Sequence, residues 1–370
     1  MKRLTGGRLC RAGHRWKRGR AARLTTIYDV AREAGVSIGT VSYVLNNTKR
    51  VRPETVQKVQ QAMQALNYRP RAAAKALAAG RSNVIGLLYP IYLHDFQMFL
   101  STFTLAIGEV LADSDYGLEV RPVLRGRAEQ QELEASINSG SMDGALLVHT
   151  QLQDPRVPLL QKARIPFVMI GRCADNSGLY FVDTDIDAAV RLAVEHLVQL
   201  GHRCVPLVGA EKESKYSTTV AHRLQAAYLQ ALAEFGLPSS CHLFIDAAPL
   251  ALMVERVKEL LRSRRRPRPT AIACANEAAV MCTYKAAAEL GLRIPDDLAV
   301  LGYADSPLYP LLPVPTTTVF DHVADLGRVA ARMLLTRLEG NEPEPPQVLL
   351  PPRLVVRAST VSPPQEGARP

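Results

Sequence analysis

The chain has 370 residues, with 45 Lys/Arg against 35 Asp/Glu and a net charge of +10. Its hydrophobic content of 47% is that of a globular protein with room for two or three domains. No apolar run approaches the roughly 20 residues of a membrane span, so a membrane protein is excluded and a soluble, cytoplasmic one is expected.

The charge is unevenly placed. Residues 1–23 hold nine Lys/Arg and no acid; residues 24–81 hold nine basic and three acidic side chains; the remainder is therefore at −5. A cationic front end on a mildly acidic body is the electrostatic footprint of nucleic-acid binding. Residues 1–23 lack the apolar core of a secretory signal and read as a disordered basic tail. Residues 361–370 read as a second disordered tail.

The first ordered segment, "TTIYDVAREAGVSIGTVSYVLNN", contains Gly35-Val36-Ser37-Ile38-Gly39, which fits the G-x-S-x-G elbow of a hydrolase nucleophile. That elbow needs a strand before the serine. The preceding apolar residues are Ile27, Val30, Ala31 and Ala34, spaced i, i+3, i+4, i+7, which is one face of a helix. Thr26 stands as its N-cap, with Asp29 in the first turn, and Gly35 supplies the left-handed stop. Ser37 then caps a second helix with Val41, Val44 and Leu45 inside. A third helix starts near Pro53, with Val56, Val59, Met63 and Leu66 inward. Three short helices over residues 24–69, the second presenting polar residues outward, make a helix-turn-helix head suited to a major groove. Ser37 is thus a cap, not a nucleophile.

"NYRPRAAAKALAAGRSN" follows. Pro70 can open a short Ala-rich helix that is unstable alone in water, so residues 70–82 read as a hinge. From Val84 the grammar changes to strands alternating with helices. "VIGLLYP", "LEVRPV", "GALLVH" and "FVMIG" form one set, and "CVPLVGA", "CHLFID", "AIACAN" and "LAVLGYAD" a second. "PTTTVF" and a last helix, about His322 to Leu338, are expected to return the chain to the first set. The predicted fold is therefore α + α/β: the three-helix head, the hinge, and a core over 83–360 of two subdomains with parallel sheets. The first is placed at about 83–181 and 312–340, the second at about 182–311 and 341–360. A ligand cleft is expected between the carboxyl ends of the two sheets.

Six cysteines (10, 173, 204, 241, 274 and 282) are scattered singly, with no CxxC pair and no histidine at finger spacing. They read as reduced core thiols, not metal ligands. No Gly-rich phosphate loop appears, so no cofactor, no metal and no enzymatic activity are expected. His196 in "VEHLVQLGHR" reads as packing and capping, and "RSRRRPRP" as a solvated loop.

"TIYDVAREAGVSIGTVSYVLN" and "VRPETVQKVQQAMQALNYRPRAAAKALAAGRSNVIGLL" resemble the lactose-repressor/galactose-repressor family of bacterial transcription regulators, and the resemblance runs to about Thr360. It implies a repressor that binds a palindromic operator in double-stranded DNA as a homodimer. A core like a periplasmic binding protein would be controlled by a small-molecule effector. Carried over, Ile38, Gly39 and Tyr43 would read bases from a helix opened by Ser37. Thr40, Ser42 and Asn46 would touch phosphates, as would Thr26, Tyr28 and Thr55. In the hinge, Leu77 would wedge into the minor groove and Arg71 and Lys75 would hold phosphates. Ile91, Tyr92, His94, Phe96, Arg172, Arg223, Asn276, Asp305 and Asp321 would line the effector cleft.

The sequence departs from the family pattern at several points. Many members carry arginine at the position of Tyr43, which suits a guanine edge. The register of the family's ligand-gripping arginine falls on Leu224, one residue from Arg223, so either the helix start is shifted or the grip is altered. Ala304 stands where sugar-binding members carry a carboxylate. A sugar, a nucleoside, or no small ligand at all remain open, the last leaving a regulator with a degenerate cleft that answers to a partner protein.

Overall fold

A computed structural model describes residues 25–46, 50–68, 81–91, 98–124, 127–210, 218–238, 244–246, 249–263, 268–320 and 322–360. The chain divides into two compact units, one up to Gly80 and one from Arg81 on.

The first unit contains α1 (Ile27–Ala34), α2 (Ile38–Asn46) and α3 (Pro53–Ala65). Val30, Ala31, Val41, Val59 and Ala62 are buried together, flanked by Ile27, Ala34, Val44, Leu45, Met63 and Leu66. Thr26 opens α1 by donating from its backbone N and from Oγ1 to Asp29, at 2.9 and 2.7 Å. Gly35 ends α1 at φ +64°, a left-handed conformation in which any side chain would be strained. Thr25 Oγ1 donates to the Leu66 carbonyl at 3.2 Å, tying the entrance of the head to the end of α3.

The second unit alternates strand and helix. In chain order these are β1 (Val84–Ile91), α4 (Met98–Leu111), β2 (Gly117–Leu124), α5 (Arg127–Asn138), β3 (Gly144–Leu147), α6 (Arg156–Ala163), β4 (Phe167–Ile170) and β5 (Phe181–Thr184). Then come α7 (Ile186–Gln199), β6 (Leu207–Ala210), α8 (Thr219–Glu234), β7 (Phe244–Asp246), α9 (Leu250–Arg262), β8 (Ala271–Cys274), α10 (Glu277–Glu289) and β9 (Ala299–Ala304). β10 (Thr317–Phe320), α11 (Val323–Leu338) and β11 (Gln347–Leu350) complete it. Two wholly parallel sheets result, ordered β11-β5-β4-β3-β1-β2 and β10-β9-β8-β6-β7.

Helices cover both faces of each sheet, which is why the central strands are buried throughout rather than alternating. On the first sheet, Ile85 and Leu87 pack with Phe103 and Ile107 of α4 and Leu334 of α11. Leu88, one position out of phase, packs on the opposite side with Leu133 of α5 and Leu160 of α6. On the second sheet, α7 and α8 bury one face and α9 and α10 the other.

Three sequence expectations are corrected. "PTTTVF" does not rejoin the first set: β10 pairs with β9 in the second sheet, and Thr316, Thr317 and Thr318 are fully buried there. Conversely, β11, expected in the second subdomain, extends the first sheet against β5, and β5 itself runs past residue 181 to Thr184. Only the last stretch of the 341–360 segment reaches the second sheet, where Val355 bridges Thr318 and Val300 N donates to the Ser359 carbonyl at 2.9 Å. The cysteines are also not uniformly reduced. Cys173, Cys274 and Cys282 are free, but Cys204 is disulfide-bonded, its partner outside the described residues. Burial pushes all three free thiols up, Cys274 to about 12, which leaves them inert as nucleophiles.

Candidate DNA interface and effector cleft

The approach to α2 decides the role of Ser37. A helix, not a strand, precedes it, and Ser37 Oγ accepts the Thr40 backbone N–H at 3.1 Å. The hydroxyl also bonds Thr40 Oγ1 at 2.9 Å, so Ser37 and Thr40 are committed to the helix start. Val41 is fully buried, whereas Ile38 and Tyr43 are 40% and 36% exposed and Gly39 is exposed beside them. With 3.6 residues per turn, positions 38, 39, 42 and 43 share one face opposite 41, 44 and 45. Asn46 ends α2 on that side by register. Of the other expected DNA contacts, Tyr28 is 62% exposed on α1, Thr55 is half-buried in the first turn of α3, and Thr26 is engaged with Asp29. Arg50 and Arg52, which sequence reasoning passed over, lie exposed just before α3. Arg71, Lys75 and Leu77 lie outside the described residues.

In the second unit, Ile91, Arg172, Asn276 and Asp305 fall at the carboxyl ends of strands, and Arg223 lies in α8. Arg172 follows β4, and its Nε donates to Asp183 Oδ2 on β5 at 2.9 Å. Burial pushes the Asp183 carboxyl up, against the hydrogen bond and charge of Arg172 and the charge of Arg223. Arg223 comes from α8 across the seam, and its Nη2 reaches the Cys173 carbonyl at 3.4 Å. Leu224 is in the core at 5% exposure, so the register question resolves in favour of Arg223 as the arginine facing the seam. Thr150, after β3, stitches the same place together. Its Oγ1 donates to the Arg172 carbonyl at 3.3 Å, and its own carbonyl accepts the Thr219 N–H at 2.8 Å. Gly171 holds φ +110°, and a Cβ there would lie 2.6 Å from Thr150 Oγ1, so only glycine permits this crossing.

Thr150, Asp183 and Thr219 were not singled out from the sequence. The available signal was a polar residue at the end of each apolar strand: "LLVHT" for Thr150 and "FVDT" for Asp183.

Two expected cleft residues are occupied by the protein itself. Asn276 caps α10: its Oδ1 accepts the Ala279 N–H and its Nδ2 donates to the Gly209 carbonyl, both at 2.9 Å. Asp305 receives both guanidinium nitrogens of Arg357, at 2.9 and 3.0 Å, and the Thr318 hydroxyl at 3.2 Å. At Ala304 the end of β9 offers no carboxylate. Of the remaining expected lining residues, Tyr92, His94, Phe96 and Asp321 lie outside the described residues, and Ile91 is placed only as the last residue of β1. His196 Nε2 bonds Thr360 Oγ1 at 3.0 Å, fastening α7 to the C-terminal stretch. Among the described residues, no group of His, Cys, Asp and Glu is arranged to hold a metal, and no helix is long and apolar enough to cross a membrane.

Comparison with known proteins agrees with both units. Residues 26–71 match the lacI family of bacterial regulatory proteins, and residues 194–360 match the periplasmic binding protein-like domain. The chain is 26% identical to catabolite control protein A of Staphylococcus xylosus over 338 residues, covering 90% of this chain and 99% of that protein. The lac repressor dimer bound to operator and the anti-inducer ONPF is 26% identical, with a TM-score of 0.75, covering 92% of this chain and 100% of that one. A regulatory protein of the LacI family from Chloroflexus aggregans is 30% identical, with a TM-score of 0.66, over 75% of this chain and 98% of that one. The helix-turn-helix head, the two parallel sheets and these likenesses together place the chain in the LacI family of DNA-binding transcriptional regulators.

Proposed function

We propose that this regulator binds a palindromic operator as a homodimer, acting as a cytoplasmic, nucleoid-associated repressor, and that a small molecule held between its two α/β subdomains sets its affinity for DNA. The observation that carries the proposal is the division of α2. Val41, Val44 and Leu45 anchor it to the head, and Ile38, Gly39, Ser42 and Tyr43 are left as a continuous outward face. The likeness to a repressor solved as an operator-bound dimer supports the pairing of two heads.

Tyr43 and Gly39 predict a half-site unlike the commonest one of the family, because tyrosine makes no bidentate pair with guanine and glycine reads nothing. The hinge supplies the direct test. Leu77→Ala should weaken binding to the selected operator at least several-fold while leaving effector affinity unchanged, since an apolar wedge contributes only on DNA. Equal operator binding by the variant and the wild type, compared by gel shift, would remove the wedge from the account.

A second reading keeps the DNA-binding head and gives the cleft no small ligand, a partner protein taking its place. Asp305 closed by Arg357, with Ala304 beside it, favours that reading. Thermal unfolding discriminates the two. An effector at 100 times its Kd adds about 2.7 kcal/mol to the native state, and a core with no effector gains nothing from any metabolite offered.

A further inference from the structure

We propose that the effector of this regulator is an oxyanion, a small molecule presenting a phosphate or carboxylate group to Arg172 and Arg223; the inference rests on the cleft reading above and names the chemistry of its ligand. Three polar atoms at one seam lack any partner: Arg172 Nη2, Arg223 Nε and Thr219 Oγ1. All three are shielded from water, and Thr219 as a whole is 1% exposed. A buried donor left unpaired costs about 1–3 kcal/mol, and three on residues joined at one seam call for an acceptor supplied from outside the chain.

The residues that carry them are joined at this seam, and both guanidiniums act on the Asp183 carboxyl. Thr219 N binds the Thr150 carbonyl, Thr150 Oγ1 binds the Arg172 carbonyl, and Arg223 reaches the carbonyl of the next residue, Cys173. The hydroxyl sits on the first residue of a 16-residue helix, α8, whose N-terminal dipole adds to the positive potential.

The charge at the seam points to the same ligand class. Two guanidiniums face one carboxylate, Asp183, leaving a surplus positive charge among the described residues. Among the described residues, the groups that would grip a neutral polyol are committed to the fold. Asn276 spends both ends of its amide within the fold, Asp305 is matched by Arg357, and Glu277 accepts the Ser306 hydroxyl. Sugar hydroxyls need acceptors as well as donors, and the described seam has donors to spare. A phosphate or carboxylate has only acceptor oxygens, and guanidinium forks match it in geometry and charge.

Thermal unfolding of the full chain tests this, with inorganic phosphate, succinate or glucose added against sodium chloride at matched ionic strength. The expected result is a rise of several degrees in Tm with phosphate or succinate, absent with glucose. The rise should fall to a third or less in Arg223→Gln and survive in part in Arg223→Lys, which keeps the charge without the fork. Should Arg223→Gln fail to fold, Arg223→Lys against the wild type carries the comparison. Whether phosphate or succinate gives the larger shift assigns the headgroup. Equal shifts in wild type and variants, as a generally excluded salt produces, would overturn the proposal, as would no anion-specific shift at all. A glucose shift lost in Arg223→Gln would also overturn it while leaving the cleft reading standing.

Discussion

Tyr43 and Ile38 are large side chains left 36% and 40% exposed on a short helix whose other face is packed into the head. That exposed surface is what α2 presents to a bound duplex. Tyr43→Ala should lower affinity for the selected operator roughly ten-fold, within the ~1–3 kcal/mol that one base position is worth. The loss in operator binding should exceed any loss in thermal stability of the head; a gel-shift titration beside a melting curve checks both. Arg156 is the opposite case, a fully buried cation that serves the fold. Its guanidinium holds Asp154 through Nε and Nη2, at 2.9 and 2.7 Å, and donates to the carbonyls of Leu88 within β1 and of Val148 just past β3, at 3.2 and 3.0 Å. Arg156→Met should cost about 3–5 kcal/mol in urea unfolding, because it strands a buried carboxylate.

The pH dependence follows from the same pair. Burial alone would push Asp154 up, but the charge and hydrogen bonds of Arg156 outweigh it and hold the carboxyl below its ordinary 3.8. A carboxyl depressed in the folded state gives stability that is complete above its unfolded value and fades as pH falls through the folded one. The core should therefore lose stability below about pH 3.8 more steeply in the wild type than in Asp154→Asn, as acid titration of the unfolding free energy will show. None of this cluster was legible in the sequence, where Asp154 and Arg156 sit in an unremarked loop-to-helix step. Arg223 was singled out only by resemblance; whether it or Leu224 faced the seam with Cys173 depended on a helix phase that one residue of register reverses.

At the scale of elements, local signals settled what local forces decide. The i, i+3, i+4, i+7 spacing of α1, the left-handed Gly35 and the Ser37 cap fixed the helix-turn-helix without reference to the rest of the chain. Ser37→Ala should remove the acceptor for the Thr40 N–H and destabilise the head by about 1 kcal/mol. If Ser37 were instead a nucleophile, the same change would leave the melting of the head untouched. Circular dichroism of the isolated transition distinguishes the two. Sheet membership was less legible. β10 is rich in β-branched residues and plainly a strand, but its partner is chosen by the tertiary path, which sends it to β9 and then takes α11 and β11 back to the first sheet. β5 and β11 escaped sequence reading for another reason. Each has four residues, and the edge strand β11 exposes alternate side chains, so neither shows the apolar run that marks β1 or β9.

At the scale of the molecule, the excess positive charge lies within the first 81 residues and the rest of the chain is acidic, an arrangement that steers the head to a polyanion and keeps the core off it. The proposed cleft was legible only in part. Arg172 follows β4 and Arg223 reaches the neighbouring Cys173 carbonyl from α8, while Asn276 and Asp305 are consumed by a helix cap and by Arg357, partners that no spacing in the sequence announces.

The central claim is that paired heads read duplex DNA through α2. Selection from random duplexes by the full-length protein, with the enriched pool sequenced, tests it most directly. The account expects an inverted repeat whose half-sites lose enrichment in Tyr43→Ala. A pool with no inverted repeat, or one equally enriched by that variant, would contradict it.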